Sequence, residues 1–202
     1  MMRIITGSAR GTRLETPEGT ETRPTAERVK EAVFSMIQFD LEGRRVLDLF
    51  GGSGQLGLEA LSRGAAVCTF VDQSRQASEV IKRNAQKTHL FDRCRILNTD
   101  WSAYVRGLRG KERFDIVFLD PPYAAGLVQP ALKRLIEADA LADGAVIVTE
   151  HGDDTAPEFP GLAVRRHARY SHVYVTVYDK LPQEEIMASV PSAEPAEAAE
   201  QE

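Results

Sequence analysis

Arg45-Val46-Leu47-Asp48-Leu49-Phe50-Gly51-Gly52-Ser53-Gly54-Gln55-Leu56-Gly57 reads as a short apolar strand entering a glycine-rich turn, followed by the apolar helical stretch Leu56 to Leu61. Glycines allow positive φ and let backbone approach a ligand, while the N–H groups at the start of the next helix attract polar or anionic groups. A nucleotide-like ligand is implied. Gly52, Gly54 and Gly57 also satisfy G-x-G-x-x-G, and Asp72, which ends Cys68-Thr69-Phe70-Val71, follows Gly52 by 20 residues. A dinucleotide cofactor therefore fits this stretch as well.

Outward from this turn, strand-like and helix-like segments alternate. Strands are expected at 45–50, 67–72, 95–98, 114–120 and 145–150, with helices at 55–63, 74–88, 101–108 and 127–138. In the last helix Val128, Leu132, Leu135 and Ile136 recur at helical spacing. Such alternation gives an α/β fold with a parallel sheet covered on both faces. Upstream, Thr25 can cap a helix entered at Pro24, and Val29, Val33, Met36 and Ile37 form its sheet-facing stripe. The end of the chain differs. Leu162 to Arg169 and His172 to Lys180 read as two strands around Tyr170-Ser171, with Val173, Val175 and Val177 on one face and Tyr174, Thr176 and Tyr178 on the other.

The fourth strand ends in Asp120-Pro121-Pro122-Tyr123. Two prolines cannot continue a sheet ladder, because neither has an N–H and each has φ held near −65°. What remains at the carboxyl edge, where open α/β sheets bind ligands, is an acidic acceptor, stiff backbone carbonyls and an aromatic ring. That set suits a flat substrate carrying an NH2 group. Asp-Pro-Pro alone also serves as an ordinary turn, so the motif counts because the glycine-rich turn accompanies it.

Asp48-x-Phe50-x-Gly52-x-Gly54, with Asp72, Asp100 and Asp120-Pro121-Pro122-Tyr123, resembles the class I S-adenosylmethionine-dependent methyltransferases that modify exocyclic amines. The resemblance implies a Rossmann-like, seven-stranded, mostly parallel sheet closed by a C-terminal antiparallel hairpin. It implies S-adenosylmethionine as cofactor, with Asp48, Phe50, Gly51, Gly52, Ser53, Gly54 and Gly57 around its methionine portion. Asp72 would take the ribose hydroxyls and Asp100 the adenine amine, while Gln73 or Trp101 packs on the ring. Asp120 and the Pro121 carbonyl would orient the target amine beside Pro122, with Tyr123 stacked on the base. A hydride-transfer enzyme has no use for that tetrad, which argues against the dinucleotide alternative.

Which amine is methylated is left open by the tetrad: adenine N6, cytosine N4, guanine N2 and a glutamine amide all meet such sites. Arg3-Ile4-Ile5-Thr6-Gly7-Ser8-Ala9-Arg10-Gly11-Thr12-Arg13-Leu14, a short alternating strand pair, and Arg23-Pro24-Thr25-Ala26-Glu27-Arg28-Val29-Lys30-Glu31-Ala32-Val33-Phe34 narrow the choice. Together with Asp48 to Gly64 they are similar to the bacterial RsmD family, the 16S rRNA guanine-N2 methyltransferases, over about residues 3 to 180. That family's reaction implies a small-subunit rRNA partner, within an assembled or partly assembled particle. It also implies phosphate contacts from Arg3, Arg10, Arg13, Arg23 and Arg28, with Arg165, Arg166 and Arg169 as a second patch. Gly51 stands where Ala is common, and Tyr170-Ser171 where Tyr-Gly is typical. The alternatives are an adenine-N6 methyltransferase acting on DNA or RNA and a catalytically silent RNA-binding assembly factor.

Composition fits one catalytic unit. The 202 residues, 43% apolar and 27% charged, can bury one α/β core. No apolar run nears the ~18 residues that span a bilayer, and Met1 to Gly7 lacks a signal-peptide core, so a cytoplasmic protein without membrane attachment is expected. Cys68 and Cys94 have no metal-ligand spacing and read as reduced thiols, and His89, His151, His167 and His172 form no ligand pattern, so no metal is expected. The net charge of −5 is concentrated at the end: beyond Gln183 there are six acids and no Lys or Arg, leaving +1 for the rest. The expected organisation is an N-terminal RNA-binding extension with the first helix at 1–40, a cofactor-binding catalytic domain at 41–180 and a disordered acidic tail at 181–202.

Overall fold

The computed structural model describes residues 2–17, 24–122 and 126–182. Tyr123, Arg23 and most of the acidic tail lie outside the described residues. The elements are α1 (Pro24–Met36), β1 (Arg45–Asp48), α2 (Gln55–Ser62), β2 (Val67–Asp72), α3 (Arg75–Lys87), a 3-10 turn (Phe91–Arg93), β3 (Cys94–Asn98), α4 (Trp101–Leu108), β4 (Phe114–Leu119), α5 (Val128–Glu137), β5 (Leu141–His151), β6 (Leu162–Tyr170) and β7 (Val173–Lys180). The sheet has the order β3-β2-β1-β4-β5-β7-β6, with β7 antiparallel to both neighbours and the other pairs parallel. The α/β expectation and the terminal hairpin are both met.

Alternate strand residues feed two separate cores. Val46, Cys68, Phe70, Ile116, Phe118, Val146 and Val148 face α1, α2 and α3, where Val33, Phe34, Ile37 and Leu61 are fully buried. Leu47, Val71, Val117, Leu119 and Ile147 face α4 and α5, against Val105, Ala131, Leu132 and Leu135. Each such side chain contributes about 1.5–3 kcal/mol of burial. Val173, Val175 and Val177 join the first core and Tyr178 the second, as the alternation along β7 requires.

Three boundaries differ from the sequence expectation. α1 begins at Pro24, so Thr25 stands inside the first turn and not at its cap; Pro suits the first helical position because its missing N–H would be unpaired anyway. β5 starts at Leu141, not 145, because Leu141 pairs with Phe114 before the register slips to Ile116–Val146. The intervening Ala142-Asp143-Gly144 has turn chemistry, which hid the pairing. The N-terminal strand pair reduces to one antiparallel bridge, Arg3–Arg13, closed by Ile4 N–H to the Thr12 carbonyl (2.9 Å) and Leu14 N–H to that of Met2 (3.0 Å). At the β6–β7 turn Ser171 takes φ 60°, the conformation for which Gly is the easier residue.

The connections from β1 and β2 run over one face, through α2 and α3, and those from β3 and β4 over the other, through α4 and α5. Chain therefore diverges from the carboxyl ends of β1 and β4, the position at which open α/β sheets leave a crevice for ligands.

Candidate active site

At the end of β1 the Asp48 carboxyl is buried and accepts from Gly57 N–H at 3.2 Å. It ties the strand end to the first turn of α2, so it shapes the glycine turn from beneath. Burial, with smaller contributions from Asp120 and Asp72, pushes its pKa up to about 8. Gly54 caps α2 in the left-handed conformation, φ 78°, with no side-chain hydrogen bond. The helix start thus carries no cap side chain, and with Gly57 N–H taken by Asp48 it is the N–H groups ahead of it that suit a ligand with a carboxylate end. Gly57 is demanded by packing: a Cβ there would stand 2.3 Å from Phe70 Cε1 and 2.5 Å from Cys68 Sγ. At Gly51, where Ala is common, a Cβ would meet Ile81 Cδ1 at 2.8 Å, so the smaller residue leaves the buried Ile81 its present place.

Asp72 closes the other side of the turn. One carboxylate oxygen accepts from Gly52 N–H and the other from Ser74 N–H, both at 2.8 Å. Each oxygen keeps a lone pair, so Asp72 can still accept from a diol while holding the loop. Gln73 is exposed beside it. Asp100 caps α4 by accepting from Ala103 N–H at 2.9 Å with Oδ1, which leaves Oδ2 for a ligand amine. Trp101 is held between Phe50 (ring centroids 6.1 Å apart) and the Arg134 guanidinium (5.5 Å) and packs on the α4–α5 core. Phe50, only partly buried, extends from the glycine turn itself. The residues present fit an adenosine with an amino-acid end: a helix start for its carboxylate, acceptors for ribose and amine, and flat apolar surface for the ring.

Across the crevice, Asp120 follows β4 and is half-buried; burial raises its pKa to about 6. Pro121 is buried and Pro122 exposed, and they line a cleft of about 210 Å³ with Leu127, Val128, Glu150 and His151. The fourth member of the tetrad, Tyr123, lies outside the described residues.

The arginines divide. Arg10, Arg13 and Arg28 are exposed, and Arg3 is exposed but bonded to Glu27 at 2.7 Å. Arg165 corrects the expectation of a second patch: it bridges Asp179 and Asp40, each at 2.6 Å, with 30% of its side chain exposed. Its guanidinium ties the hairpin to the residues after α1 and is not free for phosphate. Arg166 and Arg169 are exposed, the latter 5.8 Å from the Tyr174 ring.

Residues not singled out in the sequence hold the N-terminal arm over the turn. The Glu59 carboxylate, 0% exposed, accepts from Ile5 N–H (2.7 Å), Thr6 N–H (3.0 Å) and Arg63 Nε (2.9 Å). Lys30 Nζ, on a side chain 2% exposed, lies 3.4 Å from Glu59 and donates to the Arg3 carbonyl at 2.5 Å. Asn84 accepts from Glu15 N–H (2.8 Å) and donates to the carbonyls of Glu15 and Ser53 (2.9 Å each). Ser53 in turn donates to Met2 Sδ at 3.0 Å. The one available signal was a charged residue, Glu59, inside the apolar run Leu56 to Leu61.

A family model described as Conserved hypothetical protein 95 matches residues 2–179. YlbH of Bacillus subtilis is 38% identical over 182 residues, covering 89% of this chain and 99% of that one. Ribosomal RNA small subunit methyltransferase D of Escherichia coli is 36% identical over 149 residues, 74% of each chain. Among solved structures, yhhF from Escherichia coli superposes with a TM-score of 0.80 at 32% identity, covering 90% of this chain and 99% of that chain. The chain belongs to this family, the RsmD family of class I S-adenosylmethionine-dependent methyltransferases.

Proposed function

We propose that this protein transfers a methyl group from S-adenosylmethionine to the exocyclic N2 amine of one guanine in small-subunit ribosomal RNA. The observation that carries the reading is the placement of Asp120-Pro121 at the end of β4, across the crevice from the glycine turn and beside an open cleft. The names of the relatives support RNA of the small subunit as the substrate class.

S-adenosylmethionine, when bound, supplies an electrophilic methyl on a sulfonium. Asp120 and the Pro121 carbonyl accept the two amine hydrogens, which turns a delocalised nitrogen toward tetrahedral geometry and aims its lone pair at the methyl carbon. With the cofactor bound, transfer of its methyl to the amine nitrogen would leave the neutral thioether, and Asp120 would take up the proton the amine then sheds. Orientation of this kind recovers up to about 7–11 kcal/mol of barrier. Tyr123 would stack on the base, and a base in a duplex must first leave its stack. Arg10, Arg13 and Arg28 would meet phosphates.

Asp72→Ala removes both the Gly52 anchor and the diol acceptor, and is expected to weaken cofactor binding by about 10- to 100-fold. Calorimetry with S-adenosylmethionine checks this; unchanged affinity refutes the ribose assignment. The reaction itself is tested by labelled methyl transfer to small-subunit particles, naked small-subunit rRNA and DNA, with the product nucleoside identified by mass spectrometry. N2-methylguanosine on rRNA or particles is the expected product. Methyl on adenine or on DNA overturns the substrate, and cofactor binding without transfer to any of the three favours a silent binding protein.

A further inference from the structure

β4 and β5 run parallel in register through Leu119–Thr149, so Glu150 and His151 stand beside Asp120 and Pro121. His151, 5% exposed, and Asp153 line the same cleft as the two prolines. The contacts around His151 point to which of its ring nitrogens carries a proton. His167 Nε2 lies 3.0 Å from the Asp154 carbonyl, which can only accept, so that nitrogen carries hydrogen. In the tautomer with hydrogen on Nε2 alone, His167 Nδ1 is an acceptor and takes a hydrogen bond from the Thr176 hydroxyl at 2.8 Å. With that proton committed, Thr176 Oγ1 accepts from His151 Nε2–H at 2.7 Å.

His151 Nδ1 is left as a bare lone pair, buried and without a hydrogen-bond partner among the described residues. Asp153 Oδ2 is 3.6 Å away, but two acceptors do not bond. The Asp153 side chain is 59% exposed, so solvent can receive its carboxylate when a donor approaches Nδ1. The ring is stacked at 5.7 Å on His167 and 6.4 Å on Tyr174, which fixes its plane, and burial holds its pKa below the usual histidine value, keeping it neutral near pH 7.

A fixed acceptor beside an amine clamp distinguishes bases by the atom next to their amine. On the Watson–Crick edge the guanine N2 amine has N1–H beside it, a donor, with the acceptor N3 on its other side; in adenine and cytosine the ring nitrogen beside the amine on that edge is an acceptor. We infer that His151 Nδ1 accepts the N1–H of the target base, so that His151 selects guanine and positions it against Asp120. This rests on the guanine-N2 reading above and assigns its specificity to one atom.

Small-subunit particles are assembled with rRNA carrying guanosine, 2-aminopurine riboside or 2,6-diaminopurine riboside at the position mapped by the transfer assay. Both analogues keep the 2-amine and replace N1–H with a lone pair. Wild-type protein is expected to prefer guanosine by about 10- to 100-fold in kcat/KM. His151→Leu should bring the ratio to about one by losing activity on guanosine alone, with S-adenosylmethionine affinity and melting temperature measured alongside. His151→Gln, whose amide oxygen can accept, should recover much of the preference, and Asp153→Asn should keep it. The inference is overturned if wild-type protein does not discriminate, if His151→Leu still does, or if Asp153→Asn abolishes the preference. A wild-type protein that makes no N2-methylguanosine at all refutes the guanine reading itself, whereas N2-methylguanosine made without dependence on His151 refutes only this assignment.

Discussion

Asp120→Ala is expected to lower kcat by about 10³-fold while S-adenosylmethionine affinity changes by no more than about twofold. The side chain stands at the end of β4, across the crevice from the glycine turn, so its loss removes an acceptor for the amine and leaves the cofactor's contacts in place. Single-turnover methyl transfer and calorimetry on the same preparation check both halves; persistent turnover sinks the role given to Asp120. The group also predicts a pH profile. Its folded pKa is raised to about 6 by burial, and only the ionised form can take up the proton that the amine releases, besides being the stronger acceptor. kcat/KM should therefore rise with pH through about 6 and level off above it, and the activity is lost as pH falls through that value. Asp120→Asn keeps one carbonyl acceptor that does not titrate, so it should retain partial activity with a flat profile over the same range.

Glu59→Ala is expected to destabilise the fold by about 3–5 kcal/mol, because it leaves the buried Lys30 ammonium without its countercharge and two arm N–H groups without their acceptor. In a chain of this size that corresponds to a fall of about 10 °C in melting temperature. Urea unfolding measures the difference directly. A Lys30→Met, Glu59→Leu double variant should recover part of the loss, since replacing both charges by apolar groups is far less costly than stranding one. A single variant as stable as wild type would show that the arm is held by its apolar contacts, Ile4, Ala9 and Leu14, and not by the carboxylate. The same clamp carries the arm's bearing on function: through Asn84 and Met2 the arm touches Ser53 of the glycine turn, so its loss should also disturb the cofactor loop.

Most of the fold was legible along the chain because its determinants are local. The glycine turn after β1 and the proline pair after β4 act within a few residues, through positive φ at Gly54 and the missing N–H groups of Pro121 and Pro122. The alternation of apolar runs and helical periods then implies which strands are parallel and which connections cover the sheet. Gly57 was legible as part of a motif, although the reason for it, the Phe70 ring a Cβ would strike, belongs to another strand.

Where the chain's meaning depends on partners distant in sequence, only the tertiary structure decided. Arg165 reads as an exposed cation until Asp40 and Asp179 are brought to either side of it. Leu141 reads as loop until Phe114 pairs with it. Glu59 is one charge in an apolar helix until the arm's N–H groups and Lys30 close on it, and His151 is a lone histidine until β5 sets it beside Asp120 and β7 supplies Thr176. By itself the sequence determined the α/β architecture, the glycine turn after β1 and the proline-pair end of β4, since backbone geometry and periodicity act at short range. The buried polar contacts that hold the arm and shape the cleft wall were decided by the folded chain, because an unpaired polar group is costly only once folding has removed water from around it.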